Sequence, residues 1–385
     1  MKSSGAVFGE KLGWERANWF AERDEEPHDI YTFGQPNWHG AVGREHKAAR
    51  DAAVLFDQTS FAKYILTGPD AEQALQWIAA NRVDKPVGTI IYTQMLNDNG
   101  GIECDLTCVR TKHTEYYITT GTGYATHDFD WIGRNIPSDL NVQLVDVTSS
   151  NAVLSLFGPK ARDILELVTT GDVSNTVHPF SFARQIGIAG CSVLALRITY
   201  VGELGWELHL PVENAQTVYS ALIEAGTPLG LRNAGYRAIE TLRLEKGYRA
   251  WSSDIGPDHT PDEAGLGWAV KMKSNISFKG RDAVARQREE GIKKIMATFT
   301  TDSDIILSGR ETIYRNGNRC GWLSSAGFGH TIGKFIGMGY VRGDEYIDTE
   351  FVLSGDYELE VATERVKANV FLKPLYDPKM EKIKT

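Results

Sequence analysis

Cysteine is scarce: the 385 residues hold four, at 104, 108, 191 and 320, with no CxxC pair. That argues against a disulfide framework or a CxxC zinc site, and a chain of this length can bury a core without either staple. Cys104 and Cys108 are four apart on a β-rich run, roughly 13 Å at strand rise, too far to bridge or chelate together. No run of about 18 apolar residues occurs, so no membrane span is expected. The opening MKSSGAVFGEKLGWERANWF lacks the apolar core and cleavage site of a secretory signal, and a cytoplasmic home is expected. Basic residues are outnumbered, 41 Lys plus Arg against 50 Asp plus Glu, for a formal charge of −9. A surface of that sign does not suit a phosphate backbone, so nucleic acid is not an expected partner. Nucleotide and metal motifs are missing too: there is no GxxxxGK[ST] and no HExxH, and TGTGYATH at 120–127 lacks the third glycine of a dinucleotide fingerprint. No flavin, nicotinamide or metal site is expected in these residues, so any redox step must occur elsewhere.

What is present is a globular composition, 42% hydrophobic and 24% charged, long enough for two or three domains. Residues 1–40 mix Trp14, Trp19 and Trp38 with charge and show no sustained period; they read as an arm wrapped on the first domain. A helix is expected from Arg44 to about Val54, where Ala48, Ala49, Ala52 and Ala53 recur at helical spacing.

The informative feature is an internal repeat. LTGPDAEQALQWI at 66–78 and LFGPKARDILELV at 156–168 each run from apolar strand through Gly-Pro into an amphipathic helix. EYYITT at 115–120 leads to a helix near 127–134, as WELHLP at 206–211 leads to one at 214–226. Asn99-Gly100-Gly101 supplies hairpin chemistry before IECDLTCV, and IAG does so before CSVLALRIT. These matches imply a duplicated α+β module, over 41–145 and 146–290, the second closed by helices at 235–247 and 280–291. From 291 to 385, short β-rich runs (KIMATFT, ETIYRN, KFIGMGYV, EFVLSG, YELEVAT, VKANVFL) alternate with Gly-rich turns and read as a small barrel or sandwich.

Few residues stand out chemically. Asp105 sits in an apolar strand, where Asp is disfavoured; it is either a hydrogen-bonded edge position or a buried acid that holds a cationic nitrogen or moves a proton. Tyr200 and Glu207 flank a glycine-bearing turn in TYVGELGWELHLP, and Glu207 is either half of a cross-strand ion pair or a clamp for a flat N–H edge. Tyr92 precedes the hairpin to Asp105, and Trp251 and Trp268 frame a Gly-rich loop; all three are core or stacking surfaces.

Taken together, LNDNGGIECDLT, YVGELGWELHLP, LRLEKGYRAW and the two Gly-Pro modules resemble the aminomethyltransferase (T-protein) family of the glycine cleavage system. GEKLGWERANWF and EHKAARDAAVLFDQTSFAKY bring the likeness closest to the folate-binding half of dimethylglycine and sarcosine dehydrogenases. The resemblance implies three domains, two folate-binding α+β modules and a C-terminal β-barrel, in a clover-leaf ring around tetrahydrofolate. It implies Asp105 as the catalytic acid, Tyr200 and Glu207 as pterin contacts, Tyr92 as an aromatic wall and Thr107 as a polar contact nearby. Cys104 departs from the family's first acid. Ile239 stands where the amino-acid-cleaving branch has an arginine, which argues against service to a lipoyl carrier. The implied function is tetrahydrofolate-dependent one-carbon transfer, as methyl or methylene, from a small N-methylated substrate, alone or beside a separate flavoprotein. The alternative is a non-catalytic folate-binding or regulatory subunit of a flavin-dependent N-methyl amine dehydrogenase complex.

Overall fold

In the computed structural model, which describes residues 1–303 and 305–385, the segment expected as an arm begins with a hairpin. Strands β1 (Ala6–Lys11) and β2 (Trp14–Phe20) pair antiparallel, with Lys11 opposite Trp14. Leu12 and Gly13 between them have φ of 50° and 82°, matching the twist that two-residue hairpin loops prefer. Charged residues and Asn interrupt the alternation, which hid these strands from a reading by period. Trp19 is fully buried with Ala41, Val42 and Ala49 of helix α1 (His39–Asp51) and with Ala238 and Leu242 far along the chain. Its indole Nε1 donates to Asp29 Oδ1 at 2.8 Å, so the burial orphans no polar group. α1 starts before Arg44 and stops at Asp51, because the next residues form a strand.

Chain order continues with β3 (Ala53–Asp57), β4 (Ala62–Thr67), α2 (Ala71–Ile78), β5 (Ile90–Leu96), β6 (Ile102–Lys112), β7 (Glu115–Thr120), α3 (Ala125–Asn135) and β8 (Gln143–Asp146). Then come β9 (Asn151–Phe157), α4 (Ala161–Val168), β10 (Ala183–Ile188), β11 (Cys191–Leu196), β12 (Gly205–Pro211), α5 (Ala215–Gly226) and β13 (Leu231–Asn233). They build two sheets, ordered β5-β6-β7-β4-β8 and β10-β11-β12-β9-β3-β13. Position by position the first five strands correspond, so the repeat extends to topology and register. Ile65 faces Tyr117 and Ser155 faces Glu207, both pairs shifted by 90 (155 − 65 and 207 − 117). One strand is exchanged: β3 belongs to the second sheet, so a chain division at residues 145 and 146 does not separate the two sheets.

Each sheet buries one face under its helices. Leu75, Ile78 and Ile132 cover Tyr64, Leu66, Met95, Cys104, Cys108 and Ile118 in the first. Ile164, Leu165, Val218 and Leu222 cover Leu156, Trp206 and Leu208 in the second. The uncovered faces turn toward one another, and the β5 and β10 edges are joined by Ile90 N to Ser181 O (2.9 Å) and Ala183 N to Gly88 O (2.7 Å). Both strand-to-helix corners use glycine at φ far outside the L-residue range, 141° at Gly68 and 132° at Gly158. A Cβ would lie 2.3 Å from Asn141 O at Gly68 and 2.4 Å from Ala52 O at Gly158. Gly158→Ala is therefore expected to cost at least about 2 kcal/mol in urea unfolding; an unchanged midpoint would contradict this reading of the corner.

Helix α6 (Tyr236–Lys246) and α7 (Arg281–Glu290) lead into β14 (Ile292–Thr300), β15 (Thr312–Arg315), β16 (Asn318–Gly329), β17 (Lys334–Ile347), α8 (Thr349–Leu353), β18 (Tyr357–Val361) and β19 (Glu364–Phe371). The six strands close into a barrel, β14-β17-β16-β15-β18-β19. The run EFVLSG is not a strand: Asp348 caps α8 by accepting from Phe351 N at 2.8 Å, and only Val352 of the helix is fully buried. β16, masked in the sequence by its glycines and serines, takes its place in the barrel. The fold is thus α+β, two duplicated modules plus a β-barrel. No helix among the described residues is long and apolar enough to cross a membrane.

Candidate functional site

The uncovered face of the first sheet carries the unusual residues. Strand alternation puts Glu103, Asp105 and Thr107 on one side of β6 and Cys104, Leu106 and Cys108 in the core on the other. Cross-strand pairing then brings Gln94 opposite Asp105 and Tyr92 opposite Thr107, with Thr119 beyond Thr107 on β7. Tyr92, Asp105 and Thr107 each keep part of their surface open, whereas the residues alternating with Asp105 are buried. This face is lined rather than filled.

Asp105 is held by two donors on the same oxygen: Tyr92 Oη at 2.6 Å and Gln94 Nε2 at 2.9 Å reach Oδ1. Burial pushes its carboxyl up to about 6; those two bonds and the Arg249 guanidinium oppose the rise, and the Asp128 carboxylate adds to it. Such a group changes charge near neutrality, as a proton-handling residue must. Burial, then the Asp105 charge, holds the Tyr92 phenol protonated, so it remains a donor. Tyr92 stacks on Trp268, with centroids 5.5 Å apart and planes at 26°, and Trp268 is itself 63% exposed. That exposed indole extends the aromatic wall outward from the acid.

Tyr200 lies in the irregular stretch before β12. Its hydroxyl donates to Arg249 O at 2.8 Å and its ring stacks on Tyr248 at 5.8 Å. Burial, with Glu240, Asp254 and Asp105 adding to it, keeps its phenol protonated. Glu207 is nearly buried on the facing side of β12, where its Oε2 approaches His209 Nε2 at 3.4 Å. His209 Nδ1 meets Tyr117 Oη from the first sheet at 3.1 Å. Burial lowers the imidazole's proton affinity, and the two contacts suit a neutral ring, with Tyr117 donating to Nδ1 and Nε2–H donating to Glu207. Glu207 Oε1 makes no hydrogen bond among the described residues. Tyr92 and Asp105 are thus brought into direct contact and Thr107 beside them; Tyr200 approaches through its Arg249 contact, and Glu207 is tied to the first module through His209 and Tyr117.

Gln94, His209, Tyr117 and Arg249 do not stand out in the sequence. Gln94 was readable from the hairpin register, and His209 from its place two residues after Glu207 on the same face. Arg249 had no local signal. Behind Asp105, Cys104, His127 and Asp128 bring three donor atoms within 4.8 Å of one another. Asp128 is already satisfied there by Thr120 Oγ1 (2.6 Å) and His127 Nδ1 (2.9 Å), so it ties α3 to the end of β7.

The donor set fits a reduced pteridine. Gln94 Oε1 is buried with no partner among the described residues, while its Nε2 holds Asp105 in place. Glu207 adds a carboxylate oxygen without an internal partner, and Tyr92 with Trp268 offers a flat apolar wall.

Comparisons with known proteins identify the family and the fold. Residues 1–274 match the family described as the GCVT N-terminal domain, and residues 294–377 match the glycine cleavage T-protein C-terminal barrel domain. The chain is 37% identical over 420 residues to human mitochondrial sarcosine dehydrogenase, covering 99% of this chain and 46% of that protein. It is 35% identical over 318 residues to an aminomethyltransferase of Halothermothrix orenii, covering 82% of this chain and 88% of that one. The crystal structure of the glycine cleavage system aminomethyltransferase T from Bartonella henselae superposes with a TM-score of 0.83 at 24% identity, covering 98% of this chain and 96% of that one, which establishes a shared fold. The chain spans about half the length of the dehydrogenase relatives it matches.

Proposed function

Because the chain belongs to the glycine cleavage T-protein (GCVT) family, we propose that it transfers a one-carbon unit, as methyl or methylene, from a small N-methylated substrate to tetrahydrofolate. The observation that carries this reading is Asp105, a desolvated carboxylate pinned by Tyr92 and Gln94 on an open face. When bound, tetrahydrofolate supplies the nitrogen that accepts the carbon.

The chain's residues then have distinct tasks. Ionised Asp105 stabilises positive charge on the donor nitrogen and takes up the proton released as the new bond forms. Gln94 and Tyr92 fix its oxygen, so little reorganisation remains at the moment of reaction. Glu207, oriented through His209, accepts N–H groups of the pteridine edge. The Tyr92–Trp268 wall limits access of water to a unit that hydrolysis would destroy. A methyl donor needs no oxidant; a methylene donor must first be oxidised to an iminium, a step that a flavin-dependent oxidase or dehydrogenase would supply.

The test is to incubate the protein with tetrahydrofolate and a panel of methylated amines and sulfonium compounds, with and without a flavin-dependent amine oxidase. Formation of 5-methyl- or 5,10-methylene-tetrahydrofolate above the protein-free rate supports the reading. Folate binding without turnover in every arm would favour the non-catalytic subunit. Glu207→Ala is expected to weaken tetrahydrofolate binding by about 10- to 100-fold, the range for a lost charge-assisted hydrogen bond, as read by titration calorimetry. Unchanged affinity removes Glu207 from the site.

A further inference from the structure

We propose that Arg249 is a specificity-determining residue of the transfer site, whose free guanidinium edge anchors the anionic end of the one-carbon donor while Asp105 faces the donor nitrogen. The proposal deepens the transfer reading above and rests on it for the donor's nature. Arg249 lies just past α6, in a loop that closes against the barrel. Two carbonyls fix its head group: Nε donates to Ala264 O at 2.9 Å and Nη1 to Gly247 O. Its own carbonyl accepts from Tyr200 Oη at 2.8 Å, tying the backbone to a second wall of the site. The third nitrogen, Nη2, has no hydrogen-bond partner among the described residues and is absent from their sealed, unpaired polar atoms, so it stays accessible. Gly265 leaves the space it needs, since a Cβ there would come within 2.9 Å of Nη2.

The charge is placed for a ligand rather than for an internal partner. No carboxylate of the described residues lies in salt-bridge range of Arg249, and Asp254 and Glu240 are engaged by Arg243. Desolvation weakens its hold on its proton, and its charge reaches both Asp105 and Tyr92. Asp254 favours the charged form from a distance, but a desolvated cation with no carboxylate in contact is costly to keep, and an arriving carboxylate offsets that cost with a charge-assisted bond. Asp105 and Arg249 share the site without pairing with each other. Two separated opposite poles complement a zwitterion, an ammonium or iminium facing the acid and a carboxylate on the guanidinium.

The test compares binding of N,N-dimethylglycine with that of N,N-dimethylethanolamine, which keeps the amine but lacks the carboxylate. Calorimetry is run on the full chain, its Arg249→Gln variant and its Arg249→Lys variant, each with and without folinic acid. The expected result is that the wild type prefers dimethylglycine by about 10- to 100-fold. Arg249→Gln abolishes that preference, and Arg249→Lys, a point charge without the fork, restores part of it. Equal binding of the two amines by the wild type, no binding of dimethylglycine at all, or a preference that survives Arg249→Gln overturns the proposal. Thermal unfolding checks that each variant is folded; should Arg249→Gln fail to fold, the wild-type preference and its reduction in Arg249→Lys decide. Failure of folinic acid to bind the wild type counts against the folate reading alone, because the amine comparison is also made without it.

Discussion

Asp105→Asn is expected to lower one-carbon transfer by at least about 100-fold, the usual contribution of a positioned acid or base, while leaving the protein folded and, above pH 6, more stable. Asn keeps an oxygen to accept from Tyr92 and Gln94, so the local bonds survive. The stability change follows from the direction of the titration. Burial raises the folded-state carboxyl to about 6, so the native state holds this proton more tightly than the unfolded chain does. The ionised group therefore costs stability, a cost absent at pH 4 and below that grows as pH rises through 6 and is complete above it. Removing the charge should add on the order of 1–3 kcal/mol at pH 7.5 and little at pH 4, measured by urea unfolding at both. Wild-type turnover should fall below pH about 6 as the carboxylate is protonated. Normal turnover in Asp105→Asn, or a stability change of the opposite sign at pH 7.5, would refute the assignment.

Arg243→Met carries the largest expected loss of stability. Arg243 and Asp254 are both fully buried and paired at 2.7 Å from Nη1 to Oδ2. The same guanidinium reaches Tyr248 O at 3.1 Å, Ser325 Oγ at 2.8 Å and Glu240. Asp254 in turn accepts from Ala250 N at 2.9 Å and from Ser324 Oγ. This network joins α6, the loop that carries Arg249 and Trp251, and barrel strand β16. Removing the arginine leaves a buried carboxylate without its cation, which costs about 3–5 kcal/mol. Adding Asp254→Asn should recover part of that loss, because the stranded charge is gone. A single-variant loss under about 1 kcal/mol, or no recovery in the double variant, would show that the pair is not desolvated as described. Since the network sets the loop, folinic acid affinity should fall with it.

The duplicated modules explain why some of this was legible in the chain. Gly-Pro corners, Asn-Gly turns and period-two alternation are local signals, and the sheets follow them strand by strand. Exchange of β3 into the second sheet has no local signal, since its AVLFD run suits either sheet equally. The polar residues break the symmetry of the repeat. Glu207 occupies the place that Tyr117 holds in the first module, so the two copies carry different chemistry on equivalent faces. The N-terminal hairpin and β16 escaped because charge and glycine obscured their period, and α8 reads as a strand in sequence because three apolar residues in a row suit either state.

The order of residues alone was enough for the α+β duplication, the β-rich C-terminal third, and a short set of candidates in Asp105, Tyr92, Tyr200 and Glu207, because spacing and residue type act over a few positions; Thr107 entered only through the family resemblance. For the C-terminal strands, residue pattern left barrel and sandwich open, the resemblance implied a barrel, and the six strands close into one. Only long-range packing produced the grip of Tyr92 and Gln94 on one oxygen of Asp105, the link from Glu207 through His209 to Tyr117, and the hold of the Ala264 and Gly247 carbonyls on the Arg249 guanidinium. Those facts depend on which residues lose water together, and desolvation is a property of the folded neighbourhood rather than of any stretch of chain.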